Sequence, residues 1–352
     1  MPQRLWRDRF AVPPGRAYLV NHSLGAMPAA VPANVARWSS MWAEHGVSAW
    51  SEWLPFARET ADVLGSIIGA PPGSVVMGPN VSALAAAVAS CFDFKGDRNG
   101  IVYTDLEFPS LHYLWQELGR QGAGVTLIRS DGMHFPIESL LAAIDERTML
   151  IPLSHVIFRT AEIVDVAAVI ERAHSVGAMV FLDSYQAAGA VPFDVTTLGV
   201  DFCAGGSVKW LCGGPGAGWM YVRPDLSSRL EPVIAGWFGH TRPFDFAIDR
   251  IHYAEGAARF TGGTPAMPAI YAARAGYDLV SEIGPEAITL STAAVRRLAT
   301  CSGEMPKSEG RTISPWLIGM PPKICAIYSD RPMRVSRTSV SPSLPSSSMR
   351  RA

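Results

Sequence analysis

The sequence has few charged residues and no long hydrophobic run. Only 17% of its 352 residues are charged, and 30 Lys and Arg stand against 31 Asp and Glu, which leaves no basic excess. A protein that neutralises nucleic-acid phosphates or an anionic membrane surface needs such an excess, so neither partner is expected. No apolar run approaches the roughly 18 residues that a membrane span requires.

Cysteines are also few. The five that occur are scattered and form no C-x-x-C pair, which predicts neither a disulfide framework nor a zinc site. With no H-E-x-x-H motif either, no metal is expected. The amino-terminal stretch MPQRLWRDRF carries charges where a secretory signal has its apolar segment. These features predict a reduced, cytoplasmic location.

What the sequence does have is an alternation of short β-rich runs and amphipathic or Ala-rich stretches between residues 60 and 225. The predicted strands are Val75–Gly78, Ile101–Asp105, Val125–Arg129, Met149–Ser154, Met179–Asp183, Phe202–Ala204 and Gly218–Val222. The predicted crossover helices are Ser82–Phe94, Ser110–Gln121, Ile137–Ile144 and Val166–Val176. This order predicts an α/β fold with a mostly parallel sheet and helices on both faces. Ligands of such sheets bind at the carboxyl ends of the strands.

Four features follow predicted strands. Asn80-Val81-Ser82 begins an Ala-rich helix, where free amides and the helix dipole attract anions, although Ser82 as a plain helix cap is the alternative. Phe108 offers an aromatic face, or else a core residue. Asp183 ends an apolar strand, where a carboxylate needs a cation, a donor or a capping role.

The fourth feature is Lys209, which lies among small and apolar residues. An isolated lysine is usually a surface residue, but desolvation here would lower its pKa and make the amine nucleophilic. An anion cradle, an aromatic plate, a strand-end carboxylate and such a lysine are together the parts that hold pyridoxal phosphate. Lys209 would then form the Schiff base, with Asp183 keeping the pyridine nitrogen protonated.

The motifs resemble those of a known family. The run DSYQAAGAVPFDVTTLGVDFCAGGSVKWLCGGPGAGWMYV resembles the cofactor segment of the class V aminotransferase superfamily of fold-type-I pyridoxal-phosphate enzymes, and most of all that of kynureninase. NHSLGAMP, EFPS, GWFGHTRPFDF and ARFTGGTP resemble further family segments. The resemblance covers roughly residues 15 to 285.

The resemblance implies roles for individual residues. Lys209 and Asp183 would be catalytic, Gln186 would contact the ring oxygen, and Ser154 would lie beside the ring. The implied phosphate and ring contacts are Asn80, Val81, Ser82, Ser207 and Phe108. Trp237 and Thr264 match residues donated across a dimer interface, which implies a homodimer with shared active sites. Arg334 would clamp the substrate α-carboxylate, with Asn21 and Ser23 as further substrate-binding residues.

The resemblance also implies a division of the chain. Residues 1–55 would contribute to a small α+β domain and to dimer contacts, residues 56–275 would form the large cofactor domain, and residues 276–336 would complete the small domain. The Ser-, Pro- and Arg-rich residues 337–352 predict a disordered tail. Because the sequence diverges from the family after Ser336, a truncation or a shifted reading frame is a hypothesis for the end of the small domain.

Three positions depart from the kynureninase pattern. Gln186 replaces a histidine and is more like the cysteine desulfurases, Val208 replaces a tyrosine, and Leu111 replaces an aspartate. The leading prediction is a kynureninase-like hydrolase that acts on an α-amino acid. An aminotransferase, a cysteine desulfurase or lyase, an epimerase, and a non-catalytic homologue that binds the cofactor remain alternatives.

Overall fold

A central seven-stranded sheet organises the protein. The computed structural model describes residues 6–16 and 18–288. The strands are β1 (Val75–Gly78), β2 (Gly100–Thr104), β3 (Gly124–Ile128), β4 (Thr148–Ser154), β5 (Met179–Asp183), β6 (Phe202–Gly206) and β7 (Gly218–Val222). Their order across the sheet is β1-β7-β6-β5-β4-β2-β3. β7 runs antiparallel to both β1 and β6, and the other pairs are parallel. The predicted mostly parallel α/β sheet is confirmed.

Helices cover both faces of the sheet. They are α1 (Val31–His45), α2 (Trp50–Ile67), α3 (Val81–Ala89), α4 (Pro109–Glu117), α5 (Ile137–Ala143), α6 (Val166–Ser175), α7 (Val195–Leu198), α8 (Pro224–Ser227) and α9 (Met267–Ile283). Within the described ranges, none of these helices has the length and apolar composition that crossing a membrane would require. The four predicted crossover helices correspond to α3, α4, α5 and α6.

The two faces of the sheet build two hydrophobic cores. Along β5, Val180 and Leu182 join one core, whereas Phe181 joins the other, as the two-residue period of a strand requires. All three side chains are fully buried. Strands covered on both faces read as continuous apolar runs, and this explains why the sequence located them well.

β6 is two residues longer than predicted. β6 continues past Ala204 through Gly205 and Gly206, which pair with β7. Glycine gives little sequence signal for a strand, yet here a Cβ on Gly205 would lie 2.7 Å from the Trp219 ring. The extension carries the sheet up to three residues before Lys209.

The amino-terminal helices α1 and α2 pack against α9. Trp53 is buried between Trp38 and Trp50, with ring centroids 6.2 and 5.1 Å away, whereas Trp42 is 58% exposed. Trp53, with Trp38 and Trp50 against it, therefore serves packing.

Two of the predicted domain boundaries lie within the described residues. The boundaries at 55/56 and 275/276 fall inside α2 and α9, and the division into domains stays a prediction. The sequence beyond Pro265 predicts a helical run to about Ala299, but α9 ends at Ile283, before Gly284 with its φ of 83°. Residues 285–288 are helical again, whereas residues 289–299 of that run, the end of the small domain and the tail 337–352 lie outside the described residues.

A buried ion pair joins β5, β6 and the turn after β7. Asp201 is 1% exposed and accepts hydrogen bonds from His174 Nε2 at 2.9 Å and Val180 N at 2.8 Å, while Arg223 lies 2.8 Å from its second oxygen. Removing one partner of a buried pair leaves an uncompensated charge. We expect Asp201→Asn to lower the free energy of unfolding by about 3–5 kcal/mol in urea denaturation.

Asp225→Asn is the matched control for this prediction. Asp225 also pairs with Arg223, but its side chain is 54% exposed, so its loss should cost less than about 1 kcal/mol. Equal effects of the two substitutions would contradict the importance of burial at Asp201.

Candidate active site

The helix that follows β1 provides the predicted anion cradle. Asn80 caps α3, because its Oδ1 accepts a hydrogen bond from Ala83 N at 2.9 Å. Val81 is buried and Ser82 is half-buried at the first turn. The first amides of a helix lack intrahelical acceptors and lie at the positive end of the dipole. This terminus can therefore hold a phosphate, and the helix-cap reading holds for Asn80 rather than for Ser82.

Asp183 is the last residue of β5 and is 7% exposed. Its Oδ1 accepts a hydrogen bond from Tyr185 N at 2.9 Å. Burial raises the pKa of this carboxyl to about 6, although the Tyr185 amide and the charge of Lys209 act in the opposite direction. A buried carboxylate at a strand end is suited to pair with a cationic ring nitrogen.

Lys209 lies between two aromatic rings. Its Nζ is 5.3 Å from the ring centroid of Phe108 and 4.6 Å from that of Tyr185. Burial lowers the pKa of this amine below its usual value, and the charge of Asp183 opposes the shift. A desolvated amine gives up its proton more readily, which is what a nucleophilic lysine requires.

Gln186 ties three parts of the site together. Its Oε1 accepts a hydrogen bond from Trp210 Nε1 at 2.8 Å, and its Nε2 donates to His22 O at 3.2 Å. The amide thus connects the end of β5, the residue after Lys209 and the amino-terminal NHSLGAMP segment.

The NHSLGAMP segment is pressed against the lysine loop. Gly25 N donates to Val208 O at 2.6 Å, and a Cβ on Gly25 would lie only 2.1 Å from Lys209 O. Only glycine permits this approach. Asn21 supports the turn by accepting from Ala26 N at 2.9 Å, and Ser23 is exposed beside it. The structure therefore brings Asn21 and Ser23 to the site, whereas their contacts with substrate stay predictions.

Glu107 is a site residue that the sequence did not single out. Its carboxyl is 4% exposed and accepts hydrogen bonds from Ser154 N at 3.0 Å and Ser154 Oγ at 2.6 Å. Ser154 in turn stands opposite Asp183 in the β4–β5 register. The available signal was an acid directly before Phe108, but the pattern does not tell a buried acid from an exposed one.

Burial raises the pKa of Glu107 from 4.5 to about 7. The folded protein therefore keeps a proton that the unfolded chain releases, and this stabilisation is complete below pH 4.5 and lost as the pH rises towards 7. Between pH 5 and 7.5, the free energy of unfolding should fall by roughly 1–3 kcal/mol less in Glu107→Gln than in the wild type. Urea unfolding of the cofactor-free protein at the two pH values measures this difference.

The exposed Glu138 provides the control for Glu107, since Glu138→Gln makes the same chemical change at the surface of α5. An unchanged pH dependence in Glu107→Gln would refute the buried protonated carboxyl. Asp183, whose pKa is raised in the same direction, keeps its own contribution in both variants.

Other predicted site residues are placed elsewhere or held differently. Ser207 is fully buried, and its hydroxyl contacts Ala217 O at 2.7 Å and the Tyr277 hydroxyl at 2.5 Å, so it is committed to internal contacts. Trp237 is 37% exposed and stacks on Phe246 with centroids 5.9 Å apart.

Two predictions concern residues remote from these contacts. Thr264 is exposed, and among the interactions of the described residues neither Thr264 nor Trp237 contacts Lys209. Their roles across a dimer interface stay predictions. Arg334, the predicted α-carboxylate clamp, lies outside the described residues.

The donor set fits pyridoxal phosphate. Asp183 is buried, and of its two carboxylate oxygens only Oδ1 has a hydrogen-bond partner in the described ranges, which leaves Oδ2 for a ring nitrogen. The amine of Lys209 lies beside the ring of Phe108. The capped start of α3 follows β1, which β7 separates from β6 in the sheet. Asp183 would hold the ring nitrogen, Lys209 the aldehyde carbon and the start of α3 the phosphate.

Comparisons with known proteins find a matching family and similar chains. The profile of the family described as aminotransferase class-V matches residues 57–310. An uncharacterised aminotransferase, YcbU of Bacillus subtilis, is 33% identical over 80% of this chain and 73% of its own length. A kynureninase of Pseudomonas fluorescens is 31% identical over 78% of this chain and 68% of its own.

Solved structures show the same fold. A C-DES mutant with glycine covalently linked to its PLP cofactor superimposes with a TM-score of 0.76, at 20% identity over 88% of this chain and 83% of that one. The cysteine desulfurase CsdA of Escherichia coli gives a TM-score of 0.72 at 20% identity, over 86% of this chain and 77% of its own. The predicted fold-type-I architecture is confirmed.

Proposed function

Since this chain belongs to the class V aminotransferase family of pyridoxal-phosphate enzymes, we propose that it hydrolyses the Cβ–Cγ bond of kynurenine or 3-hydroxykynurenine. The products are alanine and an anthranilate-type acid. One observation carries the chemistry: the desolvated amine of Lys209 lies between two aromatic rings and within the field of the buried Asp183.

The residues have separate tasks in this reaction. Bound pyridoxal phosphate supplies an electron sink for the charge that develops at Cα of the amino acid. Lys209 would hold the cofactor, and its neutral amine would take the proton from Cα of the substrate. Asp183 keeps a proton on the ring nitrogen by pairing with it. Hydrolysis then adds one water across the Cβ–Cγ bond, with hydrogen going to Cβ and hydroxyl to Cγ.

Two findings support an aromatic substrate. Phe108 is 41% exposed, and Phe158 meets it edge-on with centroids 5.1 Å apart, so an aromatic surface extends from Lys209 outwards. An aryl side chain gains contact area and favourable ring geometry on such a surface. The kynureninases similar to this chain cover about four-fifths of it at 28–31% identity.

An aminotransferase or lyase that acts on another amino acid is the second candidate. It is favoured by Gln186, whose amide is fixed by Trp210 and His22, and by the similarity to YcbU. A cysteine desulfurase is less favoured, because burial raises the pKa of Cys212 to about 11 and that of Cys203 to about 12. Thiols of this kind accept sulfur poorly. Cys325 lies outside the described residues.

A homodimer belongs to the same proposal. The segment from Val233 to Ile248 exposes large apolar side chains, among them Phe246 at 68% and Ile248 at 101%. Apolar side chains clustered on a surface mark interaction sites. A second copy of this chain would cover them and bring Trp237 towards the partner's site.

An amino-acid screen tests the function. The holoprotein is incubated with kynurenine, 3-hydroxykynurenine and a panel of other amino acids, and products are followed by mass spectrometry. Alanine together with the aryl acid is the expected result. Turnover of another amino acid alone would replace kynurenine hydrolysis by the second candidate, whereas cofactor binding without any turnover would favour a non-catalytic homologue.

A further inference from the structure

We propose that Tyr185 positions the catalytic lysine, with the face of its ring and that of Phe108 together holding the Lys209 amine. The amine lies closer to the Tyr185 centroid, at 4.6 Å, than to the Phe108 centroid, at 5.3 Å. The face of an aromatic ring carries negative electrostatic potential and attracts a cation within about 6 Å. Two such faces restrict where the amine can lie and favour its charged form.

The backbone fixes the Tyr185 ring in this place. Tyr185 N donates to Asp183 Oδ1, which ties the ring to the carboxylate of the same site. On the other side, an ideal Cβ on Gly206 would lie 2.3 Å from the Tyr185 hydroxyl oxygen and 2.4 Å from Cζ. The φ of Gly206 is not positive, so it is the space taken by the tyrosine that requires glycine here.

The face of the Tyr185 ring, rather than its hydroxyl group, acts on the Lys209 amine. Burial, followed by the charge of Asp183, raises the pKa of Tyr185 to about 12, so the phenol stays protonated and is a poor base at neutral pH. The other titratable groups around this part of the site are Asp183 on β5, Glu107 after β2 and Tyr277 on α9. Since all of these remain in a Tyr185 variant, a change in lysine behaviour reports the ring.

The contact with Tyr185 bears on catalysis only if Lys209 carries the cofactor, as the proposed function requires. Under that condition, loss of the ring destabilises the cationic form of the Lys209 nitrogen and lowers its apparent pKa. A cation–π contact of ordinary strength corresponds to about half to one pH unit. Tyr185→Phe keeps the ring and serves as the matched variant, whereas Tyr185→Leu keeps an apolar side chain without the ring.

The first measurement is the pH dependence of visible absorbance in the loaded protein. The midpoint should fall by about half to one pH unit in Tyr185→Leu and stay near the wild-type value in Tyr185→Phe. Gly206→Ala should act like Tyr185→Leu, because its methyl group displaces the ring while the tyrosine itself is retained. An unchanged midpoint in Tyr185→Leu, or an equal fall in Tyr185→Phe, would overturn the proposal.

The second measurement uses the cofactor-free protein. Reductive methylation of Lys209 at a series of pH values, read by peptide mass spectrometry, reports the amine directly, with the exposed Lys95 as an internal reference. The labelling midpoint of Lys209 should shift to lower pH in Tyr185→Leu while that of Lys95 stays constant. An absorbance of lysine-linked cofactor that survives Lys209→Ala would instead count against the proposed function, so the two failures are distinguishable.

Discussion

Lys209→Ala should abolish both turnover and the absorbance of lysine-linked cofactor. The substitution removes the nucleophile that holds the cofactor and the base at Cα, and loss of a general base alone costs about 10²–10⁴ in rate. The aromatic plate and the start of α3 remain, so the protein should still fold and bind pyridoxal phosphate weakly. Absorbance spectra and kcat in reconstituted protein measure the effect.

Lys95→Ala is the matched control, because Lys95 is exposed and remains outside the site. It should retain wild-type absorbance and kcat. Wild-type turnover in Lys209→Ala would assign the chemistry to another residue, and a parallel loss in both variants would point to general damage.

Asp183→Asn should reduce kcat by about 10²–10³, since it removes a preorganised charge from a water-excluded site. The amide has the same shape and can still accept from Tyr185 N, so the fold is preserved. Without the carboxylate, the ring nitrogen loses the partner that keeps it protonated, and the electron sink weakens. Steady-state kinetics with the best substrate of the screen, together with cofactor titration, test this expectation.

Asp165→Asn provides the comparison for Asp183. Asp165 is exposed and caps α6 by accepting from Ala168 N at 3.3 Å. The neutral amide also caps helices well, so kcat should stay unchanged with little loss of stability. A kcat for Asp183→Asn within a few-fold of that of Asp165→Asn would remove Asp183 from the catalytic set.

Much of the fold followed from local patterns. The apolar runs located all seven strands to within two residues. Six of these strands are mostly buried on both faces and have no polar alternation, whereas β3 at the edge of the sheet is partly exposed. The extension of β6 was missed because Gly205 and Gly206 carry no strand preference, and their reason for being glycine is the Trp219 and Tyr185 rings. The interruption at Gly284 depends on a left-handed φ, which sequence periodicity does not reveal.

The candidate site also combines features that the sequence predicted with features that only the structure showed. By itself, the sequence determined the cofactor class, since Asp183 ends a strand, Lys209 and the Asn80 segment each follow one, and parallel strands bring their ends to one edge. Only the tertiary structure decided which neighbours matter. Glu107 became a buried acid against Ser154, Tyr185 became the second face around Lys209, and Ser207 turned inwards to Tyr277. Burial and ring contacts join residues far apart in the chain, so local sequence cannot encode them, whereas strand order does encode the edge where they meet.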